Sequence, residues 1–167
     1  MRYRCVAALL GACIALINAS ASGQVVSGDT LLLNGTVYRL WGIDAPERNQ
    51  YCNDGWPAGS LAKARLQSLI DGKAVHCEER ERDIYGLSVA VCTASGTDLA
   101  AKLVREGLAW LSKHHAQDYI DQEARAKEEG LGIHTHPCNP LWIWRSERRQ
   151  QARQQITAEP RQCERRR

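Results

Sequence analysis

The sequence predicts an α+β domain, and the order of its elements leads there. Short strand-like runs come first and helical periods gather later, with an Asn34-Gly35 turn signal between the first long pair of strands. That order suits α+β better than an alternating, parallel α/β sheet.

Each element has a local reason. Thr30 to Leu33 and Thr36 to Ile43 are strand-like, and the Asn-Gly pair between them is the strongest short hairpin signal. Ser60 is placed to cap a helix through Ala62, Leu66, Leu69 and Ile70, with Gly72 at its stop. Lys73 to Glu79 and Leu87 to Thr93 read as strands around a charged turn at Tyr85-Gly86. Thr97 is placed to cap a second helix through Leu99, Leu103 and Val104, ending at Gly107. A more polar third helix is expected from about Tyr119 to Glu129. A small five-stranded β-barrel of the oligonucleotide/oligosaccharide-binding type with three helices fits this order, as do other compact α+β folds.

The two ends differ from this middle. Arg2 and Arg4 precede a 13-residue apolar run, Cys5 to Ile17, and Ala19-Ser20-Ala21 gives a small-x-small cleavage pattern. Residues 1–21 therefore read as a secretory signal peptide, since a bilayer span needs about 20 apolar residues. A lipoprotein cleavage before Cys13 would leave Ile14 to Ile17 exposed. Residues 22–137 form the predicted barrel domain, and 138–167 a Trp-containing segment with an Arg-rich, flexible tail. In that segment Trp142 and Trp144 are expected to dock on the domain. The mature protein is expected to be a soluble monomer, exported to the periplasm or the extracellular space.

Net charge, taken whole, misleads. Residues 145–167 hold eight Arg against three Glu, a balance of +5, while the chain totals only +3. Residues 1–144 are thus −2, and −4 without Arg2 and Arg4, so the basic balance belongs to the tail. Any phosphate-binding site must be local.

The candidate chemistry lies early in the chain. Asp29 follows a tight Ser27-Gly28 turn, and Asp44 and Glu47 enclose Ala45-Pro46 after the next strand. Carboxylates at the ends of adjoining strands suit a hard cation such as Ca²⁺ or Mg²⁺, although Asp and Glu beside Gly and Pro are also ordinary turn residues. Arg39 changes the weighing, because a guanidinium inside the apolar strand Tyr38 to Ile43 needs a partner. Strict alternation puts Arg39 and Asp44 on opposite faces, so their convergence requires a bend, and Gly42 is the place for it. His134, His136 and Cys138 make a poor metal set.

Val26 to Thr30, Tyr38 to Glu47, Asp83 to Gly86 and Leu103 to Ala109 follow, in order and spacing, the pattern of the staphylococcal nuclease (thermonuclease) family. The resemblance spans about Gln24 to Ile133. It implies the barrel fold, hydrolysis of DNA and RNA phosphodiesters as an endonuclease, and a calcium cofactor. By position it implies Asp29, Asp44 and the Ala45 carbonyl as calcium ligands, Glu47 as general base and Arg39 as phosphate clamp. Tyr85, Lys113 and His115 fall where substrate contacts are expected. Two departures stand out. Ser27 replaces an acid found in many relatives, and Leu87 follows Tyr85-Gly86 where an arginine is usual. Loss of one preorganised donor costs about 10²- to 10³-fold in rate, so a slow enzyme is expected. The alternative is a catalytically degenerate module that binds nucleic acid or protein. Arg80 and Arg82 lie on the wrong part of the hairpin to substitute, and the tail arginines lie outside the matched region, where only diffuse charge is expected of them.

Five cysteines follow residue 21. Cys77 and Cys92 flank the Tyr85-Gly86 turn and are expected to pair across the strands, a pairing also found in exported relatives. Cys52, Cys138 and Cys163 have no assigned partner, although the last two could close the tail onto the domain.

Overall fold

The computed structural model describes residues 23–112 and 117–158. The chain runs through strands β1 (Gln24–Ser27), β2 (Thr30–Leu33), β3 (Thr36–Leu40) and β4 (Ile43–Asp44) before helix α1 (Ala58–Ile70). It continues through β5 (Val75–Arg82), β6 (Ser88–Ala94), β7 (Thr97–Asp98), α2 (Leu99–Arg105), β8 (Trp110–Leu111) and α3 (Ile120–Glu128). A short 3₁₀ turn at Gly132–His134 leads to α4 (Leu141–Ala158). This is an α+β fold.

The main sheet has the order β1-β2-β3-β6-β5, with β7 added beside β6, while β4 and β8 form a separate pair. All of its pairings are antiparallel except β3 with β6. Five strands thus carry the sheet expected of the small barrel, and the short β4, β7 and β8 are additions that local patterning did not resolve. The β2–β3 hairpin turns at Asn34 and Gly35, both with positive φ, as a tight primed turn requires. α1 and α2 pack their apolar faces on the sheet, closing a core of fully buried Leu31, Leu40, Leu66, Leu99, Leu103 and Val104. Truncating any of these leucines to Ala costs roughly 2–5 kcal/mol.

The helix starts depart from expectation. α1 begins after Pro57, and the Ser60 hydroxyl bonds back to the Pro57 carbonyl at 3.1 Å instead of capping. Asp98, not Thr97, caps α2, accepting from the Ala101 N–H at 3.0 Å. A carboxylate is the better acceptor there, and Thr97 is engaged with Ala94 in β7. Helix α3 matches the expected span within a residue at each end.

The largest difference is α4, an 18-residue helix where no regular element was expected. Its Ala, Gln and Arg residues are good helix formers, and Pro140 stands just before its first residue. It shows no apolar period because only its start is anchored. Leu141, 3% exposed, makes that anchor, whereas Trp142 is 37% exposed. Among the described residues no helix is long and apolar enough to cross a membrane.

Two disulfides join the described residues. Cys77 and Cys92 are directly opposed on β5 and β6 and are bonded. Cys138 bonds Cys52, 86 residues away.

Candidate active site

Four of the singled-out side chains meet where β1, β2 and β3 turn toward α1. The β2–β3 register opposes Thr30 to Arg39, and the Leu40 N–H donates to the Asp29 carbonyl at 2.7 Å. Asp29 therefore sits beside Arg39 on the neighbouring strand. Its Oδ1 accepts from the Ser27 and Thr30 hydroxyls at 2.8 and 2.9 Å, and the residue is 8% exposed.

Gly42, with φ of +74°, breaks the strand between Arg39 and Asp44. Left-handed backbone there suits glycine. After the bend, β8 holds β4 in place, with Asp44 opposite Trp110. The bend lets Arg39 Nη2 donate to Asp44 Oδ1 at 2.9 Å, with Asp29 Oδ2 at 3.8 Å. One guanidinium nitrogen thus addresses both carboxylates. Burial pushes the Asp44 carboxyl up, Arg39 pulls it down and the neighbouring Asp29 pushes it up again. Arg145 also pulls it down, but burial prevails and the net direction is upward.

Glu47 enters from the loop between β4 and α1. The Gln50 side chain, 1% exposed, holds that loop: its Oε1 accepts from the Glu47 N–H at 3.1 Å, and its Nε2 donates to the Asn139 carbonyl at 2.6 Å. From the other side of the chain, Arg145 on α4 reaches Glu47. Its Nε and Nη2 donate to Glu47 Oε1 at 2.8 and 2.6 Å.

Asp29, Arg39, Ala45, Glu47, Leu87 and Arg145 are among the residues that line one cleft of about 140 Å³. Arg39 also borders a second cleft of about 400 Å³, shared with Asp44, Arg82 and Tyr85. Tyr85 is 87% exposed at the tip of the β5–β6 turn, at the edge of that second cleft. Arg82 is tied to Glu79 at 2.9 Å and Arg80 borders neither cleft, so neither takes the place beside Leu87. Lys113 and His115 lie outside the described residues.

Among the described residues no three His, Cys, Asp or Glu side chains form a metal-ligand group. Of His134, His136 and Cys138, the last two are spent on structure, while the buried His134 Nε2 has no hydrogen-bond partner among the described residues. Cys138 is in a disulfide, and His136 stacks on Trp56 with centroids 4.5 Å apart while bonding Asp54 at 2.6 Å.

Arg145 and Gln50 were not anticipated. Gln50 carries a faint signal, three residues after Glu47 in a loop; Arg145 carries none, being one of eight arginines in a segment without period. The expectation that these arginines add only diffuse charge is corrected at Arg145, because α4 directs it into the cleft.

The family model for staphylococcal nuclease homologues matches residues 37–136. Similar proteins include a micrococcal nuclease of Shigella flexneri, 32% identical over 141 residues that cover 73% of this chain and 77% of that protein. An uncharacterized endonuclease of Haemophilus influenzae is 28% identical over 149 residues, covering 84% of this chain and 80% of that protein. An uncharacterized 38.1 kDa protein of Capnoides sempervirens is 32% identical over 136 residues, covering 77% of this chain. The chain spans only 38% of that last protein. Two of these three are named nuclease or endonuclease, which supports a hydrolase of the nuclease kind. The matched segment takes in Arg39, Asp44 and Glu47 and covers more than half of the sequence, and on that match the chain belongs to the staphylococcal nuclease family.

Proposed function

We propose that this protein is an exported, calcium-dependent phosphodiesterase that cuts DNA and RNA. The single observation that carries this reading is the convergence of Asp29, Arg39, Asp44 and Glu47 around adjoining clefts. A phosphodiester is anionic, so its hydrolysis needs charge neutralisation, a positioned water and a stabilised leaving oxygen.

The donor set of Asp29, Asp44 and the Ala45 carbonyl is all oxygen and fits a hard cation, with water completing its shell. Two carboxylates near one guanidinium nitrogen, one of them with its carboxyl pushed up, are a charge deficit that such a cation fills. When bound, calcium supplies Lewis-acid neutralisation of the phosphate charge.

In the proposed reaction Glu47 takes a proton from water. The water oxygen bonds to phosphorus, one P–O ester bond breaks, and the departing sugar oxygen gains a proton from solvent. Arg39 donates to the phosphate oxygens as their charge grows. Glu47 Oε2 has no bond to Arg145 and is proposed as the oxygen that accepts the proton. Tyr85, Lys113 and His115 are proposed to contact substrate beyond the scissile phosphate.

Residues 1–21 are proposed as the export signal and 22–137 as the nuclease unit. The two disulfides support an oxidising compartment, periplasmic or extracellular.

Leu87 on the cleft wall favours a second reading, a binding module without effective catalysis. Degradation of single-stranded DNA and of RNA, with calcium and with chelator, separates the two. Cleavage that needs calcium supports the enzyme. Cleavage that survives thorough chelation refutes the metal mechanism, and binding without cleavage in saturating calcium establishes the module.

A further inference from the structure

We infer that Arg145, from the C-terminal helix α4, is the second guanidinium of the active site, contacting the scissile phosphate and holding Glu47 by one oxygen. This inference rests on the nuclease reading above.

Charge around the cleft is the first argument. Three carboxylates, Asp29, Asp44 and Glu47, face one arginine, Arg39, which is itself bonded to Asp44. An incoming phosphodiester adds a further negative charge. Arg145 lines the cleft with Asp29, Arg39 and Glu47 and removes one charge of that excess before any cation enters. Leu87 shares that wall and can donate nothing, so among the described residues Arg145 and Arg39 are the cations on the cleft lining.

The second argument is geometry. Both Arg145 bonds fall on Glu47 Oε1, so neither uses Arg145 Nη1 or Glu47 Oε2. A planar fork that grips a carboxylate with one edge presents its remaining N–H groups to a second anion. Arg148, one turn on, lies 5.5 Å over the Trp144 ring and is engaged elsewhere.

The third argument is that this placement is built. The loop after Glu47 is sewn to the segment before α4 by the Cys52–Cys138 disulfide and the Gln50–Asn139 bond. The Asn53 N–H donates to the Pro137 carbonyl at 3.1 Å, and Trp56 stacks on His136. Leu141 buries the first residue of α4 one turn before Arg145. Glu47 and Arg145 therefore leave the same cross-linked knot on its two strands.

The test measures kcat and KM on single-stranded DNA in saturating calcium, and DNA binding by anisotropy in chelator, with folding checked by circular dichroism. Arg145→Ala should lower kcat about 10²-fold while moving KM far less, as expected for a donor that acts on developing charge. Arg145→Lys should recover only part of this, because charge returns without the fork. Leu87→Arg should do little in wild type but should raise kcat in the Arg145→Ala background, since both positions border one cleft. The Cys52→Ala/Cys138→Ala pair should lower kcat and be non-additive with Arg145→Ala. Arg153→Ala, on the exposed part of α4, should leave kcat unchanged.

If Arg145→Ala is as fast as wild type or faster, while Glu47→Gln is inactive, the inference falls and the nuclease reading stands. A faster Arg145→Ala would make the contact an inhibitory latch. A fall in kcat that Leu87→Arg does not relieve confines Arg145 to holding Glu47 and overturns the phosphate contact. If Arg145→Ala fails to fold, Arg145→Lys decides on the same readout. If folded wild type does not cleave, or Glu47→Gln cleaves equally well, the nuclease reading itself fails.

Discussion

Gly59, in the first turn of α1, lies so close to Glu47 that a Cβ built on it would sit 1.7 Å from the Glu47 carbonyl oxygen. Only a residue without a side chain lets α1 approach the loop that carries the proposed base. Gly59→Ala must push the two apart, at roughly 1–3 kcal/mol in strain, and should reduce kcat by shifting Glu47. Gly72→Ala is the control, since a Cβ there meets open space but φ is +68°. It should lower the melting point through backbone strain of about 1–2 kcal/mol and leave kcat alone. Equal turnover in both variants would show that the Gly59 contact does not position Glu47.

Gln50 is a buried polar side chain that joins Glu47 to the segment before α4. Gln50→Leu keeps most of the volume but strands the Glu47 N–H and the Asn139 carbonyl. Each unsatisfied buried group costs about 1–3 kcal/mol. The expected outcome is a lower denaturation midpoint together with a lower kcat. A stability loss without any change in kcat would make Gln50 a purely structural residue.

Arg39 stands between two demands, since it neutralises Asp29 and Asp44 and is also proposed to grip phosphate. Arg39→Ala should therefore act in opposite directions. Calcium affinity, measured by calorimetry without substrate, should rise because a competing cation has left the carboxylates. Turnover should fall about 10²-fold or more. Weaker calcium binding in the variant would mean that Arg39 organises the carboxylates instead of competing for them.

Asp44 predicts a pH dependence. Its folded carboxyl is raised, first by burial, so folding disfavours the ionised form. The sign follows: the penalty is absent at low pH, grows as pH rises from the ordinary carboxylate range through the raised value, and is constant above it. Calcium binding relieves that penalty but requires the ionised form. The rise in melting temperature on adding calcium should be large near about pH 7.5 and should shrink toward about pH 4. An equal rise at both pH values would exclude Asp44 as a ligand.

Away from the site, Arg65 on α1 grips Glu106 at the end of α2 with bonds of 2.6 and 2.7 Å. The Arg65 bond, chiefly, holds the Glu106 carboxyl below its usual range. Because the folded value is depressed, the pair stabilises above the ordinary carboxylate range and loses its effect as pH falls through the depressed value. Glu106→Gln should cost about 1 kcal/mol at neutral pH, given partial solvent screening. Chemical denaturation should show the gap closing in acid. A gap that is independent of pH would mean packing, not charge, is what the substitution removes.

Where the physics is local, the sequence by itself determined the result. Asn34-Gly35 prescribes a turn with positive φ at both residues, and both have it. Gly72 and Gly107, at φ of +68° and +66°, end the helices that the apolar period laid out. Arg39 and Asp44 lie five residues apart on either side of Gly42, so a strand, a bend and a charge to be paired suffice to bring them together. Helix starts were less legible, because Ser60 and Thr97 are good caps in isolation while the chain had nearer partners for both.

The tertiary structure alone decided what depends on distant parts of the chain meeting. Glu47 and Arg145 are 98 residues apart, Gln50 and Asn139 are 89 apart, and Cys52 and Cys138 are 86 apart. A hydrophobic period reports which face of an element is buried, and a turn residue reports a backbone angle. Neither reports which of eight arginines will be carried back across the domain. That choice was made by a disulfide, a stacked Trp56–His136 pair and the burial of Leu141, which bring α4 to the cleft and leave one arginine within reach of the proposed base.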